Sequence, residues 1–152
     1  MSTTLNQQFS KKHPPGLFLL FFTEMWERFS YYGMRGILVL YLTTEFISGG
    51  LGMSATTAMS IYGFYTGAAY ISPLIGGWLS DMYLGKRLAI TLGGITMAIG
   101  NFVIFLQQER WAMFLGLIFL IVGNGFFKPN ISALVGDLYD LKDPKRDAAF
   151  TI

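Results

Sequence analysis

The sequence predicts an all-α membrane protein with four transmembrane helices and the start of a fifth. Three observations carry that prediction. Charged residues make up 13% of the 152-residue chain, where a soluble domain carries roughly 25%. Hydrophobic residues make up 53%, and mean hydropathy is +0.47. Four apolar stretches, about 16–44, 55–80, 88–107 and 111–136, each reach the roughly 20 residues needed to cross a hydrocarbon core of about 30 Å.

Residues 1–13 form a polar tail, and residues 14–152 read as a partial transmembrane bundle. The first apolar stretch is too long for a signal-peptide core and lacks a small-residue cleavage site, so it reads as a retained helix. Its hydropathy is broken only at residues 23–35, Thr-Glu-Met-Trp-Glu-Arg-Phe-Ser-Tyr-Tyr-Gly-Met-Arg. At 100° per residue, Glu24, Glu27, Arg28, Tyr31, Tyr32 and Arg35 share an arc of roughly 140°, and Met25, Trp26, Phe29 and Gly33 lie opposite. Four unpaired charges at membrane depth would cost roughly 10–14 kcal/mol, so this stripe must face protein, water or substrate.

Residues 48–54 form the first loop, with Ser54 as the N-cap of the second helix. Residues 80–87 form the second loop, Gln107-Gln108-Glu109-Arg110 the third link, and residues 137–147 a charged segment. Lys11, Lys12, Lys86, Arg87, Lys142, Lys145 and Arg146 flank alternate helix ends, whereas the other loops offer only Arg110. The positive-inside rule then places the N-terminus, the 80–87 loop and the 137–147 segment in the cytoplasm, and the expected location of this multi-pass protein is the cytoplasmic membrane. A GxxxG pair at Gly63 and Gly67, with Gly76-Gly77, Gly93-Gly94 and Gly123/Gly125, offers sites for close helix approach. Residues 148–152, Ala-Ala-Phe-Thr-Ile, look like the first turn of a fifth helix, and the chain is expected to be part of a longer transporter.

A rise of 1.5 Å per residue sets the depth of the intramembrane polar groups. Glu24 lies about 12 Å from the cytoplasmic end, Arg28 about 18 Å, Lys128 about 13–14 Å and Tyr70 about 16 Å, with Arg35 nearer the outside. Glu24, Glu27, Arg28, Tyr70 and Lys128 thus converge on one layer from three helices. Arg28 and Lys128 suit a substrate carboxylate, Arg as a planar fork and Lys as a point charge. Glu24 and Glu27, one turn apart, are opposed by each other and by burial but favoured by the cations, a balance that lets a carboxylate exchange a proton. The plainer alternative is that these charges pair only to tie helices together. Pro129 kinks the fourth helix, and Asn124, Asn130 and Ser132 are candidates to satisfy the freed backbone. Tyr41, Tyr62 and Tyr83 read as interfacial belt, and Trp26, Trp78 and Trp111 as packing or belt residues.

Glu24-Met-Trp-Glu27-Arg28-Phe29-Ser-Tyr31-Tyr32-Gly33 resembles the ExxERFxYYG signature of the proton-dependent oligopeptide transporter (POT or PTR) family. Gly123-Asn-Gly-Phe-Phe-Lys128-Pro129-Asn130 resembles that family's fourth-helix motif. Gly77-Trp-Leu-Ser-Asp81-Met-Tyr-Leu-Gly85-Lys86-Arg87 resembles the major facilitator loop, where an acid and following bases brace the cytoplasmic side. The resemblance implies part of the N-terminal six-helix bundle of a major facilitator fold, in a symporter of di- and tripeptides driven by protons. It implies proton coupling through Glu24, Glu27 and Arg28, and a peptide pocket lined by Arg28, Tyr32, Arg35, Tyr70 and Lys128. Gly77, Asp81, Gly85, Lys86 and Arg87 would form the cytoplasmic gating loop. The second-helix histidine of some animal relatives is absent, so coupling would rest on carboxylates. The C-terminal bundle of the same polypeptide, which in the family meets the peptide amino end, is an expected partner.

Other readings remain beside it: a family member moving nitrate or another small anion, and a four-span scaffold subunit without transport. A net charge of +2 with scattered bases argues against nucleic acid as a partner. With no cysteine and only His13 in the tail, no metal centre or disulfide is expected. No nucleophile–base pair or phosphate-cradling loop suggests an enzyme, and no cofactor is expected beyond the proton gradient.

Overall fold

The computed structural model describes residues 14–139 and Ala149. The tail with Lys11, Lys12 and His13, the charged segment from Asp140 onward, and the fifth-helix start apart from Ala149 lie outside the described residues. Four long antiparallel-connected helices make up the described chain: α1 (Pro15–Thr43), α2 (Ala55–Leu79), α3 (Lys86–Leu106) and α4 (Arg110–Asp137). Pro15 starts α1, where its missing N–H costs no bond. Ser54 caps α2 as expected, its hydroxyl accepting from the Thr57 N–H at 3.2 Å.

The α1–α2 connection is more ordered than a plain loop. A 3₁₀ turn at Phe46–Ser48 is followed by a return in which Leu51 N–H donates to Tyr41 O at 3.0 Å and Met53 N–H to Leu42 O at 2.8 Å. Gln108, in the α3–α4 link, donates to Phe46 O at 2.6 Å and Gly50 O at 2.9 Å, which ties the two loops of that end together. At the other end α2 winds into a π-helical turn, Ser80–Leu84, before Gly85 (φ 73°) redirects the chain into α3. That φ suits glycine, which carries no Cβ to clash.

All four helices were expected to read as spans, but only α3 and α4 are apolar enough by composition, with mean hydropathy of 1.9 and 1.7. The physical reasons differ. Glu24, Glu27, Arg28 and Arg35 lower α1, and glycine, serine, threonine and tyrosine dilute α2. By length, the 29 residues of α1 and 25 of α2 reach about 44 and 38 Å at 1.5 Å per residue. Outward-facing Phe29, Phe64, Leu74 and Phe105 are largely exposed, so the bundle presents apolar side chains to its surroundings.

Packing is closest where α4 meets α3 and α2. A Cβ on Gly93 would sit 2.7 Å from Gly123 O, and one on Gly100 would sit 2.8 Å from Gly116 O. The antiparallel α3 and α4 therefore touch backbone to backbone at two levels. A Cβ on Gly76 would overlap the Gly125 carbonyl, and one on Gly77 would press Pro129 at 3.3 Å. The GxxxG pair meets no helix among the described residues: Gly63, Gly67, and also Gly33 and Gly94, have nothing there within 4 Å of where a Cβ would stand. Motif spacing marked a smooth face on α2 but not what covers it.

Candidate functional site

Helical periodicity puts Glu24, Glu27, Arg28, Tyr31, Tyr32 and Arg35 along one side of α1, and the fold turns that side toward α2 and α4. Within the stripe, burial separates the residues. Glu27 and Tyr31 are buried, Glu24 and Arg35 are partly buried, and Arg28 and Tyr32 are exposed. Tyr70 on α2 and Lys128 on α4 are also exposed, so the polar layer opens on one face of the bundle.

Tyr31 stands at its centre. Arg35 lies over one region of its ring at 5.6 Å and Lys128 Nζ at 5.5 Å, both measured to the centroid. Lys128 also lies 5.9 Å from the Tyr70 ring. Tyr32 and Tyr65 pack on Tyr31 at 5.4 and 6.3 Å. An aromatic face attracts a cation without neutralising it, at about 0.5–2 kcal/mol. Two cations are thus held in place with their charge not neutralised by a carboxylate among the described residues.

Arg35 was expected nearer the outside than the main layer, and Tyr62 in an interfacial belt. Arg35 donates to the Tyr62 hydroxyl, toward that same end of the bundle, from Nη2 at 3.0 Å and Nε at 3.3 Å, and its guanidinium lies over the Tyr62 ring. Tyr62 is a partner that sequence reasoning missed. The signal was its place near the start of α2, which the antiparallel hairpin sets opposite the end of α1 that carries Arg35.

The carboxylates behave differently from each other. Glu24 accepts from Arg28 Nη2 at 2.6 Å and from Nε at 3.0 Å, a pair contained within one turn of α1. It cannot tie helices together. Glu27 takes part in neither of the two ion pairs among the described residues, and the charges it feels are Lys128, Arg28 and Glu24. Its side chain lines a cavity of about 600 Å³ between α1, α3 and α4, with Thr23, Ser30, Met97 and Asn101. Asn101 donates to Ser30 Oγ at 3.1 Å across that cavity, a contact not foreseen from sequence. Arg28, Tyr32, Arg35, Tyr70 and Lys128 do not line it.

The expected gating loop is joined to α4 by an ion pair. Lys86 pairs with Asp137 of α4 at 2.6 Å, not with Asp81, which lies exposed in the π turn beside exposed Arg87. A second clasp lies deeper: Ser80 donates to Asn130 Oδ1 at 2.6 Å, and Asn130 Nδ2 donates to Phe126 O at 2.7 Å. Ser132 reaches Lys128 O at 3.4 Å. Asn124, expected to serve the kink of its own helix, instead donates across to Ala69 O of α2 at 2.9 Å. The reason is Pro73, a second helix break that sequence reasoning passed over.

Cations on aromatic faces beside a buried carboxylate, in helices long enough to span a membrane, mark a functional site of a membrane protein. Residues 87–152 match the family model PTR2, described as the POT family. The chain is 48% identical over 140 residues to an uncharacterized transporter, YclF, of Bacillus subtilis, covering 92% of this chain and 28% of that protein. It is 45% identical over 141 residues to a di-/tripeptide transporter of Lactococcus lactis subsp. lactis, covering 91% of this chain and 28% of the relative. A crystal structure of a peptide transporter POT in complex with sulfate superposes with a TM-score of 0.90 at 43% identity, over 95% of this chain and 30% of that one. The chain belongs to the POT family. It is accordingly a membrane protein, and it spans 28% of the length of those two relatives.

Proposed function

We propose that this chain supplies the first four membrane spans, within the N-terminal six-helix bundle, of a proton-coupled symporter of di- and tripeptides. The observation that carries the proposal is the pair of cations, Arg35 and Lys128, displayed around Tyr31 and left unpaired with carboxylates among the described residues. A peptide carboxylate entering the open face gains charge-assisted hydrogen bonds there, each about 1.5–3 kcal/mol. Tyr32 and Tyr70, both exposed, frame the same face, and Arg28 joins it when freed from Glu24. The name of the Lactococcus lactis relative supports the substrate class.

Proton coupling fits the two carboxylates. Protonation of Glu24 cancels its attraction for Arg28 and releases the guanidinium. Glu27, buried and in neither ion pair, is the carboxylate that a proton neutralises while the site faces the outside. Lys86 and Arg87, with Gly77, Asp81 and Gly85, mark the cytoplasmic end and its gating loop, which puts the N-terminus in the cytoplasm and the protein in the cytoplasmic membrane. The C-terminal bundle of the same polypeptide completes the cavity and the alternating access.

Uptake of a labelled dipeptide by cells expressing the complete polypeptide tests this. The expected result is uptake that rises as external pH falls and is lost on Lys128→Ala and on Glu24→Gln. Unchanged uptake in both variants would overturn the site. A second reading keeps the fold and changes the cargo, since two displayed cations accept an inorganic anion such as nitrate as readily as a carboxylate. Competition separates the two: excess nitrate leaves dipeptide uptake intact in the peptide reading. A scaffold subunit would not need cations displayed on aromatic rings at an open face, and it predicts no uptake at all.

A further inference from the structure

Two of the four helices are interrupted by proline, at Pro73 in α2 and Pro129 in α4, and the interruptions face each other. A proline removes the N–H that would bond the carbonyl four residues earlier. Pro73 therefore frees Ala69 O, and Pro129 frees Gly125 O. Each freed carbonyl is met by the other helix. Asn124 Nδ2 of α4 donates to Ala69 O at 2.9 Å, while Ser72 Oγ reaches the same oxygen at a longer 3.4 Å. Gly125 O lies against the bare face of Gly76 on α2, where a Cβ would overlap it. Asn124 is 1% exposed, and its Oδ1 is buried with no hydrogen-bond partner among the described residues. A buried half-satisfied amide is unfavourable by itself, so what the position gains from Asn is the one donor.

That donor sits beside the substrate face. Ala69 precedes Tyr70, and Asn124 lies one turn from Lys128 on the same side of α4. We propose that Asn124 is a positioning residue for substrate: it replaces the backbone hydrogen bond that Pro73 removes from α2, and thereby fixes Tyr70 against Lys128. The proposal rests on the reading of Tyr70 and Lys128 as peptide contacts. The inter-helix bond stands apart from that reading and is tested apart from it.

The test is a double-mutant cycle in the complete, detergent-solubilised polypeptide, using N124L, P73A and the pair. Alanine at position 73 restores an N–H that Ala69 O can accept within α2, so the asparagine becomes redundant. Two quantities are read for each protein, the thermal unfolding midpoint and the affinity for a dipeptide. N124L is expected to weaken dipeptide binding about tenfold and to lower the midpoint, and adding P73A is expected to recover most of both. Losses that simply add, or an N124L protein that binds and unfolds like the parent, would overturn the proposal. If N124L does not accumulate, accumulation becomes the readout. Recovery by P73A supports the bond, and absence of the double variant while P73A alone accumulates overturns it. Coupling in the unfolding midpoint without dipeptide binding to the parent would sink the peptide reading and leave the inter-helix bond standing. Additive midpoints in a parent that binds dipeptide would do the reverse.

Discussion

The seam between α3 and α4 and the charged face of α1 are built on opposite principles. Along the seam, Gly93 meets Gly123 and Gly100 meets Gly116, so two backbones touch and Met97 fills the space between. Along α1, buried Glu27 borders a cavity of about 600 Å³, and Arg28 and Tyr32 face outward. Dense packing resists deformation, whereas a helix held by fewer side chains rearranges at lower cost. The difference separates a closely packed half from an openly packed half within the described bundle, with the candidate proton and peptide groups mostly on the open side.

The comparison breaks most severely if the seam is forced open. Gly123→Leu places a side chain where Met97 and the Gly93 backbone already stand, and it is expected to cost about 3 kcal/mol or more, seen as loss of folded protein in thermal unfolding. Gly67→Ala, at a position with open space, is expected to change the same midpoint hardly at all. Lys128→Ala comes next. It removes one displayed cation and is expected to reduce dipeptide affinity about tenfold or more while leaving the unfolding midpoint nearly unchanged. Glu27→Gln is expected to flatten the dependence of uptake on external pH, because the amide keeps the shape of the protonated acid and cannot release a proton. Tyr62→Phe removes the oxygen that Arg35 donates to at 3.0 and 3.3 Å, and it is expected to weaken binding by about 1 kcal/mol, roughly fivefold. Among the charged residues the smallest effect belongs to Lys86→Ala. Its pair with Asp137 is largely solvent-facing, so a stability change within about 0.5 kcal/mol is expected in unfolding experiments.

Helix number, the first three connections and the approach of Lys128 to Tyr70 were legible because hydropathy and rise per residue are local properties. Partners were less legible because they depend on how helices face each other. Tyr62 looked like a belt residue until the α1–α2 hairpin put it beside Arg35. Lys86 has an acid near in sequence, Asp81, and chose one distant in sequence, Asp137, because α4 ends beside the start of α3. Asn124 followed the same logic: its own helix break lies at Pro129, yet its amide serves the break at Pro73. The GxxxG spacing at Gly63 and Gly67 names no partner for a related reason, since small residues describe a helix surface and not its neighbour. Span count suffered from the opposite fault, because the charges that carry the chemistry of α1 also depress the hydropathy that would identify it.

The pair within α1 bears on how the helix enters a membrane in the first place. A segment leaving the translocon has no neighbouring helices to compensate its charges. Arg28 and Glu24 compensate each other within one turn, at 2.6 Å, so that partner is present from the moment the turn forms. The bilayer is then asked to accept two uncompensated charges, Glu27 and Arg35, and not four. At about 2.5–3.5 kcal/mol per isolated charge, the pair offsets part of the roughly 5–7 kcal/mol that its two members would otherwise add to the insertion cost, the rest being the desolvation the pair still carries.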